Sequence, residues 1–113
     1  MSIMTTVVIC KSQNSSYCGF YCMGHAGYAK KGKPDILCAA ISALTIGTIN
    51  SLEVLAGERM KVTSDDTTGF LKCEFEGILQ EKSSFLVDSM IFCLENLSRE
   101  YGEKYLRVKF EEV

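Results

Sequence analysis

A long stretch without charge, at residues 36–52, most constrains the fold of this chain. Asp35 directly before it is a good helix N-cap, and Gly57 shortly after it is a typical helix stop. The pattern therefore predicts a helix from Asp35 to about Leu55 or Ala56. Because its apolar residues leave little polar face, this helix must be buried on more than one side. We expect a sheet to cover one side and a second copy of the chain to cover another.

Five segments outside this helix carry the β-branched or alternating patterns of strands. In chain order they are residues 4–11, 17–23, 59–65, 70–77 and 105–110. A second helix is predicted over residues 84–101, after a linker at 80–83 and before a stop at Gly102. The order ββαββαβ predicts an α+β fold, with two long helices on a mostly antiparallel or mixed sheet of about five strands. At 113 residues the chain is expected to form a single domain over residues 1–113.

The second predicted strand determines where the single histidine is expected. Side chains alternate between the two faces of a strand. One face carries Cys18, Phe20 and Cys22, and the other carries Tyr17, Tyr21 and Met23. Continuing this register places His25 on the face of the tyrosines, away from Cys18 and Cys22.

Composition excludes several classes of function. The net charge is −2, so the basic surface typical of direct nucleic-acid binding is not expected. No apolar stretch reaches the ~18–20 residues of a membrane span, and no secretory signal is expected at the N-terminus. The six cysteines are therefore expected to be reduced thiols in a cytoplasmic protein rather than a disulfide framework.

The only histidine and one cysteine flank a predicted loop at residues 27–34. His25 follows the second strand, and Cys38 falls in the first turn of the first helix. A helix N-terminus carries partial positive charge, and a nearby imidazole can take the thiol proton. This pattern favours a cysteine nucleophile with a histidine base, and the N–H groups of the helix end could support an oxyanion. The loop residues expected to close over the site are Gly27, Tyr28, Gly32 and Pro34.

Each of these residues also has a purely structural interpretation. Cys38 fits a buried helix position, and His25 fits a turn. Asp35 is either the helix cap or a partner that orients the imidazole, while Ser42, one turn after Cys38, either faces the thiol or bonds back to a carbonyl. A zinc site would use Cys18, Cys22, His25 and Cys38. Because their spacing lacks the paired Cys-x2-Cys of structural zinc sites, no metal and no cofactor are expected.

The segment Gly24-His25-Ala26-Gly27-Tyr28-Ala29, followed by Gly32 and residues 35–44, resembles the signature of the ribosomal-processing cysteine protease (Prp) family. The resemblance extends over the whole chain. It implies a bacterial homodimeric endopeptidase that uses no metal. Such an enzyme removes the N-terminal extension of the large-subunit ribosomal protein bL27 and cuts next to aromatic residues.

The same resemblance implies roles for individual residues. Cys38 takes the position of the nucleophile and His25 that of the base, while Gly24, Asp35 and Ser42 take supporting positions. The chain departs from the family pattern by one extra residue before the helix, at Gly32-Lys33-Pro34-Asp35. The alternative function is a non-enzymatic binding or assembly factor that holds a ribosomal-protein tail with the same loop.

Overall fold

The computed structural model describes residues 4–26 and 35–113. Its elements are β1 (Thr5–Lys11), β2 (Tyr17–Met23), α1 (Ile36–Val54), β3 (Met60–Asp65), β4 (Phe70–Phe75), α2 (Glu81–Tyr101) and β5 (Leu106–Glu112). The order ββαββαβ is the predicted one. The residues predicted to close over the site, Gly27, Tyr28, Gly32 and Pro34, lie outside the described residues.

The strands form one five-stranded sheet in the order β3-β4-β2-β1-β5. The pairs β1–β2, β2–β4 and β3–β4 are antiparallel, whereas β1 and β5 are parallel. The sheet is therefore mixed and mostly antiparallel, as predicted. The parallel pair arises because α2 lies between β4 and β5, and a helical crossover returns the chain to the sheet in the same direction as β1.

Both helices and four of the strands contribute to one hydrophobic cluster. Leu37 and Leu52 of α1, Leu94 of α2 and Leu106 of β5 are all 0% exposed in it, and Phe20 of β2 is 1% exposed. Burial of each such side chain stabilises the folded state by about 1.5–3 kcal/mol. This cluster fixes α1, and with it the thiol in its first turn, against the sheet.

The start of α2 differs from the prediction, because the helix begins at Glu81 and not at residue 84. Glu58, which follows α1, accepts hydrogen bonds from the backbone N–H of Gln80 at 3.3 Å and from the hydroxyl of Ser83 at 2.6 Å. A carboxylate that is distant in sequence thus accepts hydrogen bonds at the start of the helix, where a side chain close in sequence normally caps the free N–H groups. The four residues predicted as a linker therefore contain the first turn of α2.

The faces of β2 also differ from strict alternation. The register between β1 and β2 shifts between Cys10 and Lys11, which marks a β-bulge. Tyr17 consequently packs against the hydrophobic cluster, and its hydroxyl donates to Asp88 of α2. The prediction that Tyr17 shares a face with Tyr21 is therefore wrong.

Within the chain, α1 buries one side only. Ile41, Ile49 and the two leucines named above are buried, whereas Ile36 is 59% exposed and Ile46 is 48% exposed. By length and composition, this 19-residue helix is apolar enough to cross a membrane, contrary to the prediction that no stretch is long enough. That finding does not by itself show a membrane span, because the core helix of a globular protein meets the same criteria.

Candidate active site

A cleft of about 390 Å³ opens between α1, the end of β2 and the β3–β4 hairpin. Both His25 and Cys38 line it. One face of α1 forms a wall with Ile41, Ser42, Thr45, Ile46 and Ile49, and the hairpin forms the other with Val62, Phe70 and Leu71. The structure thus brings together the two residues that the sequence predicted as a catalytic pair.

Cys38 lies in the first turn of α1, and Asp35 is the N-cap of this helix. Oδ1 of Asp35 accepts hydrogen bonds from the N–H groups of Leu37 and Cys38, each at 3.0 Å. The cap interpretation of Asp35 is therefore confirmed. Because these two N–H groups already donate to the carboxylate, they are not available to an oxyanion, contrary to the expectation from the sequence.

Gly24 turns the chain between β2 and His25. Its φ is +83°, a conformation that glycine adopts without the strain that other residues incur. The strand register therefore ends before His25, and the imidazole lies in the cleft below α1 with Cys38. The prediction that His25 continues the tyrosine face is wrong for this reason, and Cys22 also lines the cleft.

The residue after His25 bonds directly to the candidate nucleophile. The backbone N–H of Ala26 donates to Sγ of Cys38 at 3.2 Å, and Ala26 is 0% exposed. A hydrogen bond to the charged form of a group favours that form. This N–H group therefore favours a thiolate at Cys38, whereas the carboxylate of Asp35, which caps the same helix end, opposes one.

The other buried thiols are less suited to act as nucleophiles. Burial raises the pKa of Cys22 to about 12 and that of Cys73 to about 12. Burial, followed by the charge of Glu111, also raises the pKa of Cys10. Cys22 lies in the cleft, but it stays a neutral thiol near pH 7.

Ser42 lines the cleft one helical turn after Cys38, as predicted. A site residue that the sequence analysis missed is Gly69, which ends the turn between β3 and β4. It lines the cleft, and a Cβ built on it would lie 3.1 Å from Cε1 of His25. The sequence predicted the turn at residues 65–69, but only the fold brings this turn against the end of β2.

The structure gives no support to the zinc alternative. Over residues 4–26 and 35–113, no three His, Cys, Asp or Glu side chains group in a way that would hold a metal ion. None of the six cysteines, all of which lie in these two ranges, forms a disulfide bond.

A partly exposed thiol at a helix N-terminus, with a histidine in the same cleft, is an arrangement typical of cysteine hydrolases. The family model of the cysteine protease Prp matches residues 4–106. The chain therefore belongs to the cysteine protease Prp family and is a cysteine protease.

Relatives and solved structures agree with this assignment. A ribosomal processing cysteine protease Prp of Bacillus subtilis is 31% identical over 109 residues, which cover 93% of this chain and 96% of the relative. The crystal structure of a Staphylococcus aureus ribosomal processing protease Prp with a covalently linked product peptide superposes with a TM-score of 0.86. It is 25% identical, and the match covers 96% of this chain and all of that one. A Streptococcus mutans protein of solved structure has a TM-score of 0.83 at 25% identity, over 97% of this chain and 96% of that one.

Proposed function

We propose that this chain is the endopeptidase that removes the N-terminal extension of the large-subunit ribosomal protein bL27, with Cys38 as nucleophile and His25 as general base. The observation that carries the proposal is the cleft that both residues line, at the end of β2 and the start of α1. The B. subtilis and S. aureus relatives are named ribosomal processing proteases, which supports a ribosomal substrate.

The reaction proceeds in two halves. The imidazole of His25 takes the proton of the Cys38 thiol, and the thiolate attacks the scissile carbonyl carbon. The imidazolium then gives its proton to the leaving amine, the C–N bond breaks, and a thioester remains on Cys38. A water molecule, deprotonated by His25, attacks the thioester, and the sulfur leaves as a thiolate that regains its proton.

The oxyanion of each tetrahedral intermediate needs a donor that the helix cap does not occupy. Leu37 and Cys38 direct their N–H groups to Asp35. The N–H of Ala26 already lies 3.2 Å from the sulfur, and the oxyanion forms two bonds away from that sulfur. We propose that the Ala26 N–H shifts its hydrogen bond from the sulfur to the oxyanion once the C–S bond has formed, because the negative charge then lies on that oxygen.

The walls of the cleft suit a peptide with large apolar side chains. Ile41 and Ile49 line one side, and Phe70 and Leu71 line the other. A volume of about 390 Å³ lies in the range of small ligand-binding pockets and admits one or two large side chains. This lining supports cleavage next to aromatic residues.

The exposed face of α1 supports a homodimer. Ala39, Ala43 and Gly47 follow at intervals of four residues on this face, which also carries the exposed Ile36 and Ile46. Small residues at this spacing allow another helix to approach closely, and no charged side chain interrupts the face before Glu53. We propose that two copies pair through this face, and that the dimer works in the cytoplasm, where ribosomal proteins are made.

The direct test uses a peptide that spans the extension of bL27 from the same organism. The wild-type protein is expected to cut it, and Cys38→Ala to lose all cleavage. His25→Ala is expected to lose about 10²–10⁴-fold, the contribution typical of general base catalysis. Cys93→Ala is the matched control, because Cys93 is also partly exposed but lies on α2, outside the cleft. Cleavage by Cys38→Ala at the wild-type rate would contradict the proposal.

A further inference from the structure

Gly69 packs against the backbone that carries the imidazole. A Cβ built on Gly69 would lie 2.5 Å from the carbonyl oxygen of Gly24 and 3.1 Å from Cε1 of His25. The first distance is shorter than real Cβ atoms tolerate, and the second is tighter than most of their contacts. The backbone of residue 69 therefore occupies the space beside Gly24 and His25 in which any side chain would overlap them.

Gly24 is held from two directions. From β1, the hydroxyl of Thr5 donates to its carbonyl oxygen at 3.4 Å, and Thr5 is 4% exposed. From the β3–β4 turn, Gly69 packs against the same carbonyl group. Because a glycine at φ +83° has wide backbone freedom, these contacts fix the direction in which the chain leaves β2 towards His25.

The turn that carries Gly69 is itself well ordered. The side-chain Oδ1 of Asp65 accepts a hydrogen bond from the N–H of Thr67 at 3.0 Å. The backbone carbonyl of Asp65 accepts another from the hydroxyl of Thr68 at 3.3 Å. Asp65 also pairs with Phe70 in the ladder between β3 and β4. Two hydrogen bonds within the turn thus stabilise the conformation that brings Gly69 to the end of β2.

We propose that Gly69 is a positioning residue, which holds the imidazole of His25 in the orientation that serves Cys38. This inference rests on the proposed function, since it concerns the orientation of the proposed base. A Cβ at residue 69 would lie 3.1 Å from Cε1, the carbon between the two ring nitrogens, so the lack of a side chain leaves the ring the room that it occupies in the cleft. A side chain at residue 69 displaces Gly24 and the ring together, and a displacement of about 1 Å in a catalytic group can cost 10²-fold in rate.

Gly57 provides a matched control for this proposal. Its φ is +67°, close to the +70° of Gly69, but nothing lies within 4 Å of a Cβ built on it. Asparagine tolerates positive φ better than other side chains. Gly69→Asn and Gly57→Asn therefore carry a similar backbone cost, and only Gly69→Asn introduces an overlap with the site.

The first test measures both variants in two assays. We expect Gly69→Asn to lower kcat on the bL27 peptide by about 100-fold. We also expect the pH profile of Cys38 alkylation by iodoacetamide, followed by mass spectrometry, to become that of His25→Ala. Gly57→Asn is expected to keep the wild-type values in both assays. A wild-type alkylation profile in Gly69→Asn overturns the proposal.

A second test needs no variant. The chain has a single histidine, so its Hε1 resonance is unique in the NMR spectrum. A nuclear Overhauser effect between this proton and the Hα protons of Gly69 is expected, and its absence overturns the proposal even if Gly69→Asn does not fold. If the wild-type protein cuts no peptide, the proposed function fails, while the alkylation profile and the Overhauser effect still decide the role of Gly69.

Discussion

The backbone N–H of Ala26 donates to the sulfur of Cys38 at 3.2 Å, although the two residues are 12 positions apart. This bond connects the end of β2 to the first turn of α1. It places the residue next to His25 against the sulfur, so the imidazole and the thiol lie in one cleft. A backbone hydrogen bond thus contributes to holding the proposed base and the proposed nucleophile in the same cleft.

Selective alkylation tests whether Cys38 is the reactive thiol. Iodoacetamide at pH 7 is expected to modify Cys38 first and Cys22 among the last, with peptide mass spectrometry as the measurement. Cys22 is a stringent control, because it lines the same cleft. Burial raises its pKa to about 12, which leaves only about one thiol in 10⁵ ionised at pH 7. Equal rates at the two cysteines would refute this prediction.

Two substitutions at Asp35 separate the stability that comes from its cap hydrogen bonds from the stability that comes from its negative charge. Asp35→Ala removes the acceptor of two N–H groups and should lower the free energy of unfolding by about 1 kcal/mol. Asp35→Asn keeps an acceptor oxygen at this position, so we expect a loss of only a few tenths of a kcal/mol. Urea denaturation followed by circular dichroism measures both. A loss in Asp35→Asn as large as in Asp35→Ala would show that the charge matters more than the cap.

Stability at acidic pH should depend on Glu58. The hydrogen bond from Ser83, followed by the bonds from Gln80, holds the pKa of this carboxyl below its usual range. A carboxyl whose pKa is lower in the folded state stabilises the protein above its unfolded pKa of about 4.3, and this contribution is lost as the pH falls through the folded pKa. Glu58→Gln should therefore be less stable than wild type at pH 7, and the difference should shrink below about pH 4.

The control for this prediction is Glu53→Gln, which changes an exposed carboxylate on α1. Its unfolding free energy should stay close to that of wild type across the same pH range, because surface charges contribute little. Chemical denaturation at several pH values gives both comparisons. If the unfolding free energies of Glu58→Gln and wild type differ by a constant amount from pH 7 to pH 3, protonation of Glu58 is not linked to folding.

The proposed dimer predicts which helix face tolerates a charge. Ala43→Glu places a carboxylate on the exposed apolar face of α1 and should convert the dimer to monomers in size-exclusion chromatography with light scattering. Ser89→Glu is the comparison, because Ser89 is exposed on α2 between the exposed rings of Phe85 and Phe92. We expect this variant to remain dimeric. Dissociation by Ser89→Glu alone would place the interface on α2 instead.

Local patterns were sufficient wherever a single element determines the structure. The Asp35 cap is one example. The alternation in β4 is another, since Leu71, Cys73 and Phe75 belong to or pack against the hydrophobic cluster, while Lys72 and Glu74 form an exposed ion pair. Local patterns gave a wrong prediction where a residue distant in sequence makes the contact. Glu58 accepts a hydrogen bond at the start of α2, and the bulge opposite Cys10 turns Tyr17 to the core. Neither Glu58 nor β1 is close in sequence to the residues that it affects.

The sequence by itself determined the order of elements, the uncharged helix and the candidate pair of His25 and Cys38. It did so because capping, periodicity and thiol chemistry depend on residues that are close together in the chain. Only the tertiary structure decided that Gly24 turns the imidazole under α1, that Ala26 bonds to the sulfur and that Gly69 packs against both Gly24 and His25. These contacts exist because the order β3-β4-β2-β1-β5 brings a distant hairpin turn against the end of β2, and pairing between strands is set by packing over the whole sheet.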